Sequence, residues 1–111
     1  MVSSIGDVLN ALQETIKSKR HDDPETSYTA KLFEDGRERI AKKLGEEGVE
    51  AALAGALGHK DELASEAADI LYHLGVLLEA NEIGWDDVVL KLSKRTGVSG
   101  LQEKNDRLRN D

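Results

Sequence analysis

The sequence contains no cysteine, so it can form neither a disulfide framework nor a thiolate metal site. Its one proline, Pro24, leaves almost the whole length free of a helix breaker. Aromatic residues are scarce, at 4%. No stretch approaches the ~18 apolar residues of a membrane span. The first residues, Met1-Val2-Ser3-Ser4-Ile5-Gly6-Asp7, lack the basic start and apolar run of a secretion signal. Together these absences lead us to expect a soluble cytoplasmic protein. A basic excess is also missing. The formal net charge of -7 argues against non-specific binding to nucleic acid or to an anionic membrane, because no surplus of cations is available to replace phosphate counterions. An acidic chain can still bind a phosphate ester if a divalent metal lies between the two sets of negative charge.

What is present is the composition of amphipathic helices: 39% hydrophobic and 33% charged residues in 111, with Leu and Ala prominent. A chain this short buries a modest core, so self-association is expected. Ile5, Val8, Leu9, Leu12 and Ile16 recur at helical spacing, which predicts a first helix over 4–19, capped by Ser3 or Ser4. The polar stretch from Arg20 to Glu25 holds the proline and reads as a loop. A short helical piece opens at Ser27-Tyr28-Thr29 and ends near Gly36. A long helix follows from Arg37 to about Leu57, with Gly58-His59-Lys60 as the break. A second long helix is predicted from Glu62 to Ala80, capped by Asp61, and a shorter one carrying Val88, Val89 and Leu92 ends before Gly97. The expected fold is all-α: one domain over 1–97, a bundle of about four to five helices around two long central ones. Residues 98–111 read as a polar tail, partly disordered.

The chemistry concentrates on the two long helices. Carboxylates spaced i, i+3 share a helix face, and two such pairs occur: Glu47 with Glu50, and Glu66 with Asp69. At about 100° per residue, Glu47 falls in the middle of an arc with Ile40, Leu44, Ala51 and Ala54, and Glu46 and Glu50 extend that arc toward one edge. On the next helix Glu66, Asp69 and His73 form a stripe beside the apolar arc of Leu63, Ile70, Leu74 and Leu77. Any one of these acids is ordinarily a solvated surface group. Two spaced pairs on consecutive helices, both beside the apolar face, are not the pattern of surface decoration. Inward carboxylates without partners are costly and raise one another's pKa values, a penalty that a cation removes. Hard oxygen donors without cysteine suit magnesium, with manganese as a substitute, better than zinc. Magnesium is commonly shared between carboxylates and substrate phosphates, so a di- or triphosphate would complete the site.

Gly45, Gly48 and Gly55 lie inside the same helix at about 1 kcal/mol each relative to Ala, an expense that close approach of a helix or a ligand would offset. Lys43, Lys42, Arg39, Arg37 and Lys31 lie upstream of the acids and are candidates to bind phosphate oxygens, with ordinary i, i+4 ion pairs as the competing reading for each. Tyr72 and His73 have no assigned role from spacing alone.

The paired acids, Glu47-Gly48-Val49-Glu50 and Glu66-Ala67-Ala68-Asp69, resemble the E-x-x-E and E-x-x-D motifs of the all-α, MazG-like nucleoside triphosphate pyrophosphohydrolases. Three ordered blocks narrow the resemblance: Ser27-Tyr28-Thr29-Ala30-Lys31-Leu32, Ile40 through Glu47, and Glu66 through Leu74 are similar to signature blocks of the phosphoribosyl-ATP pyrophosphohydrolase family. The likeness covers roughly residues 5 to 95. It implies hydrolysis of phosphoribosyl-ATP to phosphoribosyl-AMP and pyrophosphate, the second step of histidine biosynthesis. It also implies a homodimer whose paired helices complete the bundle, and the form not fused to a zinc-dependent cyclohydrolase. By the same resemblance Glu47, Glu50, Glu66 and Asp69 are metal ligands. Glu46 becomes a candidate to orient or deprotonate the attacking water or to complete the metal shell, so that Glu46 and Glu47 are the catalytic pair. Lys43, Lys42, Lys31, Ser27 and Thr29 are the candidate substrate-binding residues. The competing expectations are a house-cleaning hydrolase of another (deoxy)nucleoside triphosphate and a non-catalytic helical dimerisation module.

Overall fold

The computed structural model describes residues 4–97; the predicted polar tail over 98–111 lies outside the described residues. Five helices follow one another, α1 (Ile5–Lys19), α2 (Tyr28–Asp35), α3 (Arg37–Ala56), α4 (Lys60–Ala80) and α5 (Trp85–Thr96), with no strand among the described residues. The Ser4 hydroxyl caps α1 by accepting from the Asp7 amide at 3.1 Å, and Ser27 does the same for α2 through Ala30. Gly36, at φ 96°, both ends α2 and begins α3, a conformation that side chains with a Cβ rarely adopt.

Gly58, at φ 73°, closes α3 with the His59 amide donating back to the Ala54 carbonyl, and α4 starts immediately afterwards. The cap position of α4 is therefore His59, without a side-chain hydrogen bond, and Asp61 is not the cap that the sequence suggested. Asp61 sits in the first turn instead, where its charge faces the positive end of the helix dipole.

The core is small and draws one fully buried side chain from each of four helices: Ile16, Leu32, Ile40 and Val76, flanked by Leu12, Phe33, Tyr72 and Leu77. Contacts of Gly55 with Leu63 at one end and of Glu47 with His73 further along show that α3 and α4 run antiparallel. Helix α1 runs parallel to α4, because Gln13 Nε2 donates to the Gly75 carbonyl at 3.0 Å and Arg20 donates to the Glu79 carbonyl at 3.3 Å. Gln13 also accepts from the Trp85 indole at 2.8 Å, which ties the start of α5 to both. On α3 the predicted inner arc is present, with Ile40 and Ala54 buried and Leu44, Glu47 and Ala51 half-buried. On α4 the buried side chains lie in the second half, at His73, Val76 and Leu78, while Leu63 near the start is exposed.

Candidate functional site

Antiparallel packing of α3 on α4 brings together the two acidic pairs that are about twenty residues apart in sequence. One oxygen from each of Glu47, Glu66 and Asp69 lies within 4.8 Å of the others. Glu66 is the most constrained. Its Oε2 is buried and lacks any hydrogen-bond partner, and its pKa is pushed up to about 7 from an ordinary 4.5. The cause is first the adjoining Glu47 carboxyl, then burial, then the Glu50 carboxyl. Glu50 is exposed and stands outside that trio, but its carboxyl is close enough to Glu66 to help raise its pKa. Glu46 is exposed and stands outside the trio.

The donor set consists of carboxylate oxygens alone, and the orphaned Glu66 oxygen has no protein group to satisfy it. Such a set fits a hard divalent cation such as magnesium.

His73 fastens the acids to α2. Its Nδ1 is 3.0 Å from the Asp69 main-chain carbonyl, which can only accept, so Nδ1 carries the hydrogen. In the neutral ring Nε2 is then an acceptor, and the Tyr28 hydroxyl donates to it at 2.9 Å. Burial, the neighbouring Tyr72 and the Glu47 charge all push the Tyr28 pKa upward, which keeps its proton in place. His73 Nδ1 is also 3.8 Å from Glu47 Oε1. Tyr28 and Tyr72 stack at 6.1 Å between ring centres, and the Tyr72 hydroxyl bonds to Thr29.

A cavity of about 610 Å³ opens beside this cluster, between α1, the beginning of α2 and α4. Asp69, Tyr72 and His73 form its wall toward the acids; Ser27, Tyr28 and Thr29 line a second side, and Thr15, Lys19 and Asp22 a third. Its volume is that of a pocket for a ligand of nucleotide size.

The predicted substrate-binding residues are divided by the structure. Ser27 and Thr29 line the cavity, although the hydroxyl of Ser27 caps α2 and that of Thr29 holds Tyr72. Lys43 is half-buried one turn before Glu47, and Lys42 is exposed beside it. Lys31 lies away from the cavity and pairs at 3.4 Å with both Glu34 and Asp35. Lys19, Asp22 and Tyr28 were not singled out from the sequence. Their neighbours in the site come from helices distant along the chain, a proximity that local periodicity does not encode.

A family model described as phosphoribosyl-ATP pyrophosphohydrolase matches residues 9–96. The chain belongs to that family. Among curated relatives, the phosphoribosyl-ATP pyrophosphatase of Ruegeria sp. (strain TM1040) is 47% identical over 97 residues, spanning 87% of this chain and 92% of that protein. The phosphoribosyl-ATP pyrophosphatase of Methylobacterium radiotolerans is 52% identical over 84% of this chain and 87% of its own length. The histidine biosynthesis bifunctional protein HisIE of Pasteurella multocida is 51% identical over 78% of this chain, which corresponds to 43% of that longer protein. The family match contains both acidic pairs, the loop that lines the cavity, and His73.

Proposed function

We propose that this chain hydrolyses phosphoribosyl-ATP to phosphoribosyl-AMP and pyrophosphate in histidine biosynthesis, in the cytoplasm, with magnesium, or manganese in its place, held by Glu47, Glu50, Glu66 and Asp69. The observation that carries the reading is the convergence of three carboxylates around a buried Glu66 oxygen that no protein group satisfies. Family membership supports the substrate. Magnesium bound there would offset the charge of the triphosphate and make an attacking water more acidic.

The remaining parts are the chain's own. Glu46, exposed and next to Glu47, is the carboxylate left over to orient or deprotonate that water. His73 holds Asp69 through its main chain and fixes the Tyr28 ring at the cavity wall. Lys43 and Lys42 supply cations for phosphate oxygens beside the acids. No described helix is long and apolar enough to cross a membrane.

The reading includes a homodimer. Val49 and Leu53 on α3 and Leu57 at its C-cap follow one another at i, i+4 spacing and are 62%, 59% and 67% exposed, an apolar stripe left uncovered among the described residues. Among the described residues a Cβ added at Gly45 or Gly48 would meet nothing within 4 Å, so the space beside them on α3 could admit a second copy.

Pyrophosphate release tests the proposal, measured with phosphoribosyl-ATP, ATP and dCTP, with and without magnesium. The expected result is magnesium-dependent release with a strong preference for phosphoribosyl-ATP. Glu47→Gln and Asp69→Asn should each lower turnover by more than about a hundredfold while helical circular dichroism stays intact. Release that is unchanged in both variants, or equal rates on all three nucleotides, would contradict it.

A further inference from the structure

The acids account for one end of the cavity and leave the other without a role. The parallel register of α1 and α4 sets that end: Gln13 is level with Gly75 and Arg20 with Glu79, so Lys19 lies beyond the level of His73 whereas Asp69 lies before it. From Leu12 to Lys19 the cavity wall rises about 10 Å along α1. Lys19 is the one Lys or Arg among the described residues that line the cavity, and no carboxylate of those residues lies within 4 Å of it. A lysine without an ion-pair partner on the wall of a large cavity is placed to receive an anion. Asp22 shares that end, and its carboxylate accepts hydrogen bonds from hydroxyl groups.

We infer that this end of the cavity is the specificity end of the site: Lys19 pairs with a second, isolated phosphate on the far side of the substrate, and Asp22 accepts from the hydroxyls of the sugar that carries it. The inference rests on the proposed reaction, whose substrate bears such a phosphosugar opposite its triphosphate. The two anionic groups are treated differently for a physical reason. The triphosphate lies against a cluster of carboxylates and needs metal between them, whereas a monophosphate facing one lysine needs none. The Asp22 charge beside Lys19 disfavours a longer polyphosphate at that end, so the nucleotide enters in one orientation.

The test is binding of phosphoribosyl-AMP and of AMP, by calorimetry with magnesium present, to the full chain and to Lys19→Ala and Lys19→Arg. The two ligands share the nucleotide monophosphate and differ in the phosphosugar. The wild type should bind phosphoribosyl-AMP more tightly; Lys19→Ala should reduce that preference by about tenfold or more and Lys19→Arg should retain most of it. A wild type without preference, a ratio unchanged in Lys19→Ala, or an equal weakening of both ligands overturns the inference. Failure of the reaction itself would appear elsewhere, as absence of pyrophosphate release by the wild type.

Discussion

Magnesium affinity should depend steeply on pH between 6 and 8, and Glu66 sets the midpoint. Its carboxyl is pushed up to about 7, so at the proposed metal site a proton would compete with a cation for the same oxygens. At pH 7 about half of the molecules hold that proton, at pH 6 about nine in ten, and at pH 8 about one in ten. The apparent dissociation constant should therefore be weaker by about twofold at pH 7 and by about tenfold at pH 6 than in the fully ionised limit. Near pH 7, binding should release about half a proton per chain from this group. In the absence of metal the sign is set by the same raised value. Glu66 holds its proton more tightly in the folded chain than at its ordinary 4.5, so its favourable contribution is complete below that value and is lost as pH climbs to about 7. Titration calorimetry in two buffers of different ionisation enthalpy measures the released proton, and melts at several pH values measure the stability. Glu66→Gln should abolish the proton release and flatten the pH dependence of the metal-free melt. A magnesium affinity that is constant from pH 6 to 8, or proton release that persists in Glu66→Gln, would refute the assignment.

Two further outcomes follow from packing. Gly75→Ala places a Cβ 3.0 Å from Ile16 Cδ1 and 3.1 Å from Gln13 Oε1, so both must give by a few tenths of an ångström, and Gln13 is held by its bonds to Gly75 and Trp85. It should cost about 1–3 kcal/mol, read as a lowered melting temperature, and an unchanged melt would mean that α1 and α4 can separate without strain. Leu53→Glu puts a charge in the exposed stripe of α3 without touching the monomer's own core, so sedimentation should show a monomer where the wild type forms the proposed dimer, while the helical signal is preserved. A dimer that persists places the interface elsewhere.

The parts of this molecule legible in its sequence are those encoded by spacing. The i, i+3 acids on α3 and α4 predict a shared face, and the fold turns both pairs toward one another. Helix order and boundaries are also legible, because Ser4, Ser27, Gly36 and Gly58 mark them chemically. The exception at Asp61 arises because both Asp and the preceding turn satisfy a helix start, and the Gly58 reversal decided between them at a distance of two residues. The cavity was not legible. It is formed where α1 meets α4, through the bonds of Gln13 to Gly75 and Arg20 to Glu79, contacts separated by about sixty positions. Likewise Lys31 reads as a candidate phosphate ligand by proximity in sequence, yet helix rotation turns it toward Glu34 and Asp35 and away from the cavity.

The chain has a single tryptophan, and it sits at the junction of three helices. Trp85 is 7% exposed, and its indole donates to a glutamine that is itself bonded to the backbone of α4. Its ultraviolet emission is consequently a built-in reporter of whether the last helix is seated. Detachment of α5 would wet the indole and shift the emission to longer wavelength, and circular dichroism would register the same event only as a small loss of helix. Spectroscopists thus have a site-specific fluorophore without labelling, positioned to distinguish fraying of the C-terminal end from collapse of the whole bundle.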